Sequence, residues 1–349
     1  MSNYDQFAAA VKEISGGKNI VLLDDLGLPS VYVPINKLKN SEIISGGSEN
    51  THPAFSVNGV EKSRFLYSKY QNIVINGRAY SLSHRDPKTY VNFDQARQAC
   101  EAKGAGFHLG TLAEWAAVAL LTRKMGTMPH GNNNYGGDSA YTYEKGQESA
   151  KGNNKTGRTF TGSGPATWGH DHTQFGIQDM NGNVWEWLGG MRLNEGEIQI
   201  IPYNNAALGS ECDMSASSTL WKAIKNDGSL VAPGTAATLK YDFVSNNIQL
   251  TTGITSAQDA GRGGSYTAMT LASGVTAPEL AKALILYPDE PGKDYGGDYH
   301  WMNNAGERLP IAGGSWLDGA DAGVFDLNLG HARSHSYGDL GFRSAYVEL

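Results

Sequence analysis

The chain has 349 residues, 40% of them hydrophobic and 18% charged, with 44 glycines and a net charge of −7. That content supplies a sizeable core in a loop-rich body, which excludes a disordered chain and a helical bundle. The acidic balance, without any Lys/Arg cluster, excludes a nucleic-acid footprint, and no run reaches the roughly 20 apolar residues of a membrane span.

In chain order, Tyr4–Ile14 has the pattern of a short helix. NIVLLDDLGLPSVYVPI follows as a β-like run with Gly27 and Pro29 as turn residues. Residues 1–50 therefore read as a small N-terminal β-containing arm or attachment element, and the polar, Gly-rich stretch 39–53 as the boundary before a main domain spanning 51–349. The start, MSNYDQFAAAVKEI, lacks the basic segment and apolar run of a secretory signal, so synthesis in a cytoplasm is expected. Residues 65–83 read as a hairpin turning at Asn76-Gly77. A helix is expected over 91–104, with Asn92 as N-cap and Gly104 as stop. A second opens at Thr111, whose Thr-x-x-Glu spacing to Glu114 is a capping box. Two insertions are expected, an Asn/Gly/Ser-rich loop system near 131–164 and a longer one near 191–300. Within the latter, Thr276-x-x-Glu279 announces a third helix.

Few residue patterns carry chemistry. Cys100 and Cys212 are too few for a disulfide framework and are either two buried thiols or one bridge. His170 and His172 in GHDH could share one face of a strand as metal ligands, but no third ligand is placed by spacing and a loop is the simpler reading. His331 and His335 have helical metal spacing within a Gly/Ser context that does not favour a helix. No nucleophile elbow, P-loop or dinucleotide fingerprint is present.

Two stretches are more specific. In GIQDMNGNVWEW (176–187), Gly182 permits a tight turn while Trp185 and Trp187 alternate with Glu186, placing the indoles in a core and the carboxylate on the other face. The tail 311–349 is a scaffold with unrelated residues set into it. Gly313, Gly314, Trp316, Gly319, Val324, Phe325, Leu327, Leu329, Ala332, Arg333, Gly341, Phe342 and Arg343 belong to the scaffold. Ser315, Leu317, Asp318, Ala320, Asp321, Asp326, Gly330, His331, His335, Tyr337 and Asp339 are the set-in residues. Trp185, Trp187, Trp316, Phe325 and Phe342 are expected to form a core that holds this frame still, with Arg333 and Arg343 tied by carbonyl or carboxylate hydrogen bonds.

These two motifs are where a resemblance enters. GIQDMNGNVWEW is similar to the signature of formylglycine-generating-type folds. GGSW…GVF…NL…ARS…GFRSA looks like the variable region of proteins diversified by retroelements, which use the same C-type lectin fold. The resemblance implies an α+β, loop-rich C-type lectin fold of the formylglycine-generating-enzyme-like subtype, with a variable region at 313–345. It also implies that the eleven set-in residues form a ligand-binding surface. In such proteins randomised Asn codons cannot yield Lys, Gln, Glu, Met or Trp, and none of the eleven is of those types. By resemblance to calcium-binding relatives, Asn183 and Glu186 become candidate Ca²⁺ ligands; the alternative is that both simply hydrogen-bond the turn. Enzymes of this fold carry reactive cysteines in the segment matching Gly313–Arg343, and this segment has none. The resemblance therefore implies a non-enzymatic receptor-binding protein of a phage tail, or a bacterial surface protein. The expected partner is a host surface protein or glycan, with a homotrimer as the expected assembly and neither nucleic acid nor membrane insertion. The alternative is a metal-dependent oxidase.

Overall fold

The computed structural model describes residues 3–349. Two sheets share the tail. The first has five strands in the order Ile20–Leu23, Pro29–Asn36, Arg64–Ser68, Ser344–Tyr346 and Phe107–Leu109, every neighbouring pair antiparallel. The C-terminal strand thus lies between residues from the amino-terminal third, so the two ends of the chain close one layer. Strands 20–36, expected in a separate arm, are integral to this sheet, because Val33, Ile35, Phe65 and Tyr67 bury their side chains in the main core. The helix Asn3–Ile14 buries none of its residues. The boundary stretch is also pinned down: Glu279 accepts hydrogen bonds from Asn40 Nδ2 at 2.6 Å and from the backbone N–H of Ser48 at 2.6 Å.

The second sheet is built around Glu307–Ala312. This strand pairs antiparallel with Leu327–His331 on one side. On the other it pairs with Met191–Asn194 through its first residues and with Trp185–Trp187 through its last. Trp185–Trp187 in turn pairs parallel with Leu340–Phe342. The insertion after residue 190 extends the sheet outward through Glu197–Ile200, Lys240–Val244 and Asn247–Thr251. Tyr299–Met302 adds a parallel strand beside Leu327–His331.

The helix Leu112–Met125 lies in the main core. Thr111 Oγ1 accepts from Glu114 N–H and Glu114 Oε2 accepts from Thr111 N–H, the reciprocal capping that the sequence spacing predicts. Gly126, at φ 70°, ends the helix in the left-handed conformation that favours glycine. Every residue from Leu112 to Leu120 is buried, so this is a central helix rather than a surface one. The helix Phe93–Glu101 has its Asn92 cap as expected. Two expectations fail because distant partners intervene. The hairpin is confined to Ile73–Ile75 and Arg78–Tyr80, because Arg64–Ser68 is taken by the first sheet. The helix near 276 covers only Glu279–Ala283, because Thr276 Oγ1 bonds Asn226 and the Glu279 carboxylate is spent on Asn40 and Ser48. Among the described residues no helix is long and apolar enough to cross a membrane.

Candidate functional site

The tail's frame is fixed by charge as well as by packing. Arg343 is buried and donates from Nε to Glu186 Oε2 and from Nη2 to Glu186 Oε1, both at 2.6 Å. Its remaining N–H groups reach the carbonyls of Ser68, Lys69, Gln178 and Asp179. A bidentate guanidinium pair with its spare donors satisfied is the arrangement in which a buried charge is tolerated. Arg333 is held at the opposite end by Glu307, by Asp94 Oδ1 at 2.9 Å and by the Met214 carbonyl at 2.9 Å, over the ring of Phe93. Trp115 Nε1, on the central helix, donates to the Val324 carbonyl at 2.7 Å and ties the middle of the tail to the core. Trp185, Trp187, Phe325 and Phe342 are buried as expected, but Trp316 is only half-buried.

Nine of the eleven set-in residues reach solvent wholly or in part. Leu317 and Tyr337, at 46% and 50% exposure, are the large apolar and aromatic members. One group, Leu317, Asp318, Ala320 and Asp321, lies on the turn after Trp316. Another, Gly330, His331, His335 and Tyr337, lies at the end of Leu327–His331 and the loop after it. There His331 Nδ1 and His335 Nδ1 sit 2.8 Å apart in one hydrogen bond, with the Tyr337 ring 5.3 Å from that of His335. Burial, with His335 and Arg308 adding positive charge, lowers the His331 pKa to about 4. Burial raises the Asp339 pKa, which the charge of Arg158 partly offsets, and Asp339 in turn adds to the rise at Asp318.

Ser315 and Asp326 depart from the expectation of an outward surface. Ser315 is buried because its N–H and hydroxyl both donate to Asp318 Oδ2, at 2.7 and 2.8 Å, closing the turn inward. Asp326 is 0% exposed and neither carboxyl oxygen has a hydrogen-bond partner. Burial first, then the charges of Asp318, Asp298 and Asp321, push its pKa well above the carboxylate range.

The calcium expectation does not fit the side chains. Asn183 Oδ1 accepts from Thr159 N–H at 2.8 Å and Asn132 Nδ2 at 3.1 Å, its amide donates to Gln71 Oε1 at 2.8 Å, and Glu186 is given to Arg343. Nor do they simply bond the turn, as the alternative had it: Asn183 ties the motif to Thr159, Asn132 and Gln71, and Glu186 ties it to Arg343 and Gln71. Among the described residues no three His, Cys, Asp or Glu side chains gather to hold a metal ion. His170 is buried and accepts from Ile177 N–H, while His172 Nε2 meets the Met128 carbonyl, so neither is presented to a metal. Cys100 and Cys212 are unbridged and buried, the first with its pKa well above the usual thiol value and the second pushed up to about 11 by burial. Thiols in that state are poor nucleophiles and poor metal ligands.

The insertion 131–164, expected as an exposed loop system, instead braces the tail from behind. Tyr135 N–H donates to the Trp316 carbonyl at 2.8 Å and Arg158 Nη1 donates to the Gly338 carbonyl at 2.9 Å, so one insertion touches both display groups. It adds two exposed tyrosines, Tyr141 and Tyr143. Tyr90, also exposed, donates its N–H to the Tyr337 carbonyl. None of these carried a sequence signal, because their proximity to the tail is created by folding over more than 150 residues.

A two-sheet α+β body around a central helix, with its carboxyl end threaded through both layers and its last loops displayed, defines a C-type lectin fold of the formylglycine-generating type. The profile of the sulfatase-modifying factor enzyme 1-like domain matches residues 35–270, more than half of the chain, and the chain belongs to that family. No curated protein matches. Among solved structures, a Treponema denticola variable protein 1 aligns over 94% of this chain and 98% of its own, at TM-score 0.34 and 13% identity. The Major Tropism Determinant U1 variant aligns over 90% and 62% at TM-score 0.32 and 10% identity, and the P3c variant over 94% and 71% at the same score and identity.

Proposed function

We propose that this chain is a non-enzymatic binding protein whose C-terminal loops form a diversified recognition surface, carried on a phage tail and directed at a host surface protein or glycan. The observation that carries the reading is the division of labour within the tail. Arg333, Arg343, Phe325, Leu327, Leu329 and Phe342 are tied or buried, while nine of the eleven set-in residues are turned wholly or partly outward. A rigid frame lowers the entropy lost on binding, and Tyr337 supplies an amphipathic anchor beside the polar His331 and His335. The oxidase alternative gains nothing from the two buried thiols, neither of which lies in the tail.

The test is binding to host surface fractions by the intact protein and by a variant carrying Leu317→Ala, His331→Ala and Tyr337→Ala. Loss of binding with an unchanged melting temperature is expected. Undiminished binding would place the recognition surface elsewhere.

A further inference from the structure

A cleft of about 460 Å³ opens beside the Leu317–Asp321 turn, between it and the loop 128–141. Ala320, Ala322 and Val324 of the tail line one wall, and Met128, His130 and Tyr141 the other. Its volume is within the range of small-ligand sites. Asp298 stands in it, only 3% exposed. Its carboxylate accepts from Phe325 N–H at Oδ2, 2.7 Å, and is helped by its own backbone N–H, but no side chain among the described residues donates to it.

What Asp298 lacks is a counter-charge. The two basic side chains that line the cleft are both committed elsewhere. Arg123 pairs with Glu290 at 2.8 Å and Asp289 at 3.5 Å and stacks on Tyr295. His130 bonds Glu144 at 3.0 Å. Asp138, the neighbouring acid, is satisfied by the N–H groups of Gly131, Ala140 and Tyr141. Burial, with the charge of Asp294 in the same cleft adding to it, holds the Asp298 carboxyl well above its ordinary pKa. The backbone is also cut away for this carboxylate: a Cβ at Gly323 would collide with both Asp298 oxygens, and one at Gly296 would lie 2.8 Å from Oδ1. A buried carboxyl without a counter-charge costs stability when it ionises, and a cationic ligand would supply what the protein does not.

We propose that the cleft is a subsite for the basic side chain or primary amine of a bound partner, with Asp298 as counter-charge at its floor. Ala320, Ala322 and Val324, with Met128 and Tyr141 opposite, suit the alkyl stem of a lysine or arginine, whereas the absence of three gathered ligands among the described residues disfavours a metal ion. That the amine belongs to a host molecule rests on the function proposed above; the affinity of the cleft for an organic cation does not.

The experiment titrates the intact protein with N-acetyl-lysine amide, N-acetyl-arginine amide, the uncharged N-acetyl-norleucine amide and calcium chloride, by calorimetry. The cationic probes are expected to saturate and norleucine amide and calcium not to. Asp298→Asn should weaken the cationic probes at least tenfold while leaving the melting temperature unchanged or raised, an effect opposite to that of removing a structural carboxylate. Should that variant not fold, Ala320→Trp, at the exposed rim, should block the probes. Failure of either cation to saturate, equal binding of norleucine amide, a calcium isotherm, or unaltered binding in a folded Asp298→Asn or Ala320→Trp variant would overturn the proposal. None of these results bears on host-surface binding through Leu317, His331 and Tyr337, which is scored separately.

Discussion

Residues 340–346 and residues 315–326 belong to one tail and both bury ionisable side chains, yet the two regions treat them in opposite ways. At the end of the tail, Arg343 and Glu186 satisfy each other and the surrounding carbonyls, locking Leu340–Phe342 against Trp185–Trp187. In the earlier region, Asp326 is sealed in with neither oxygen bonded, and Ser315 is folded inward onto Asp318. The first region is complete without any partner. The second gathers the carboxyls of Asp318, Asp321 and Asp326 near Asp298, and burial, then the charges of its acidic neighbours, favours the protonated form of Asp326 beside the turn that displays Leu317. A frame can hold a changeable surface only if the frame itself is satisfied, and the Arg343 end shows how that is done.

The sharpest way to break this comparison is Arg343→Ala. It strands the Glu186 carboxylate, and a loss of about 3–5 kcal/mol is expected by denaturant titration; a loss below about 1 kcal/mol would mean the ion pair is not what fixes the frame. Trp316→Ala comes next, at about 1–2 kcal/mol, because a half-buried indole against Gly152 loses only part of the area that full burial would give. Asp326→Asn should have the opposite sign, stabilising the protein by about 1 kcal/mol at pH 7. A carboxyl whose pKa is raised in the fold holds a proton that the unfolded chain has already released, so stability falls as pH climbs above the ordinary value of 3.8. Asparagine does not titrate, and the gap between variant and parent should widen from about pH 4 upward; a gap independent of pH would contradict the burial of an unpaired acid. The smallest effect belongs to Tyr337→Ala combined with His331→Ala, within about 1 kcal/mol, since one ring is half-exposed and the other gives up a single hydrogen bond.

Local chemistry was legible in the sequence. The Thr111–Glu114 box, the Asn92 cap and the Asn76-Gly77 turn each involve neighbours a few residues apart, and each forms as the spacing requires. The core tryptophans of GNVWEW and the tying of Arg333 and Arg343 were likewise readable, because a buried guanidinium must find acceptors. What was not legible depended on distant partners. Glu186 was claimed by Arg343 from 157 residues away, and Thr276 and Glu279 were diverted to Asn226, Asn40 and Ser48. Strands 20–36 found the C-terminal layer through Arg64–Ser68. Alternation within the tail separated Leu327 and Leu329 from their polar neighbours, yet it could not show that Asp326 would turn inward behind Gly314 and Ala322.

The central claim is that the frame tolerates replacement of what it displays. It is met most directly by randomising Leu317, Ala320, Asp321, His331, His335 and Tyr337 together and scoring the protease-resistant fraction of the library. A parallel library at Trp187, Phe325, Leu327, Phe342 and Arg343 supplies the contrast. The account predicts that most members of the first library fold and nearly all of the second do not; collapse of the first library to the level of the second would contradict it.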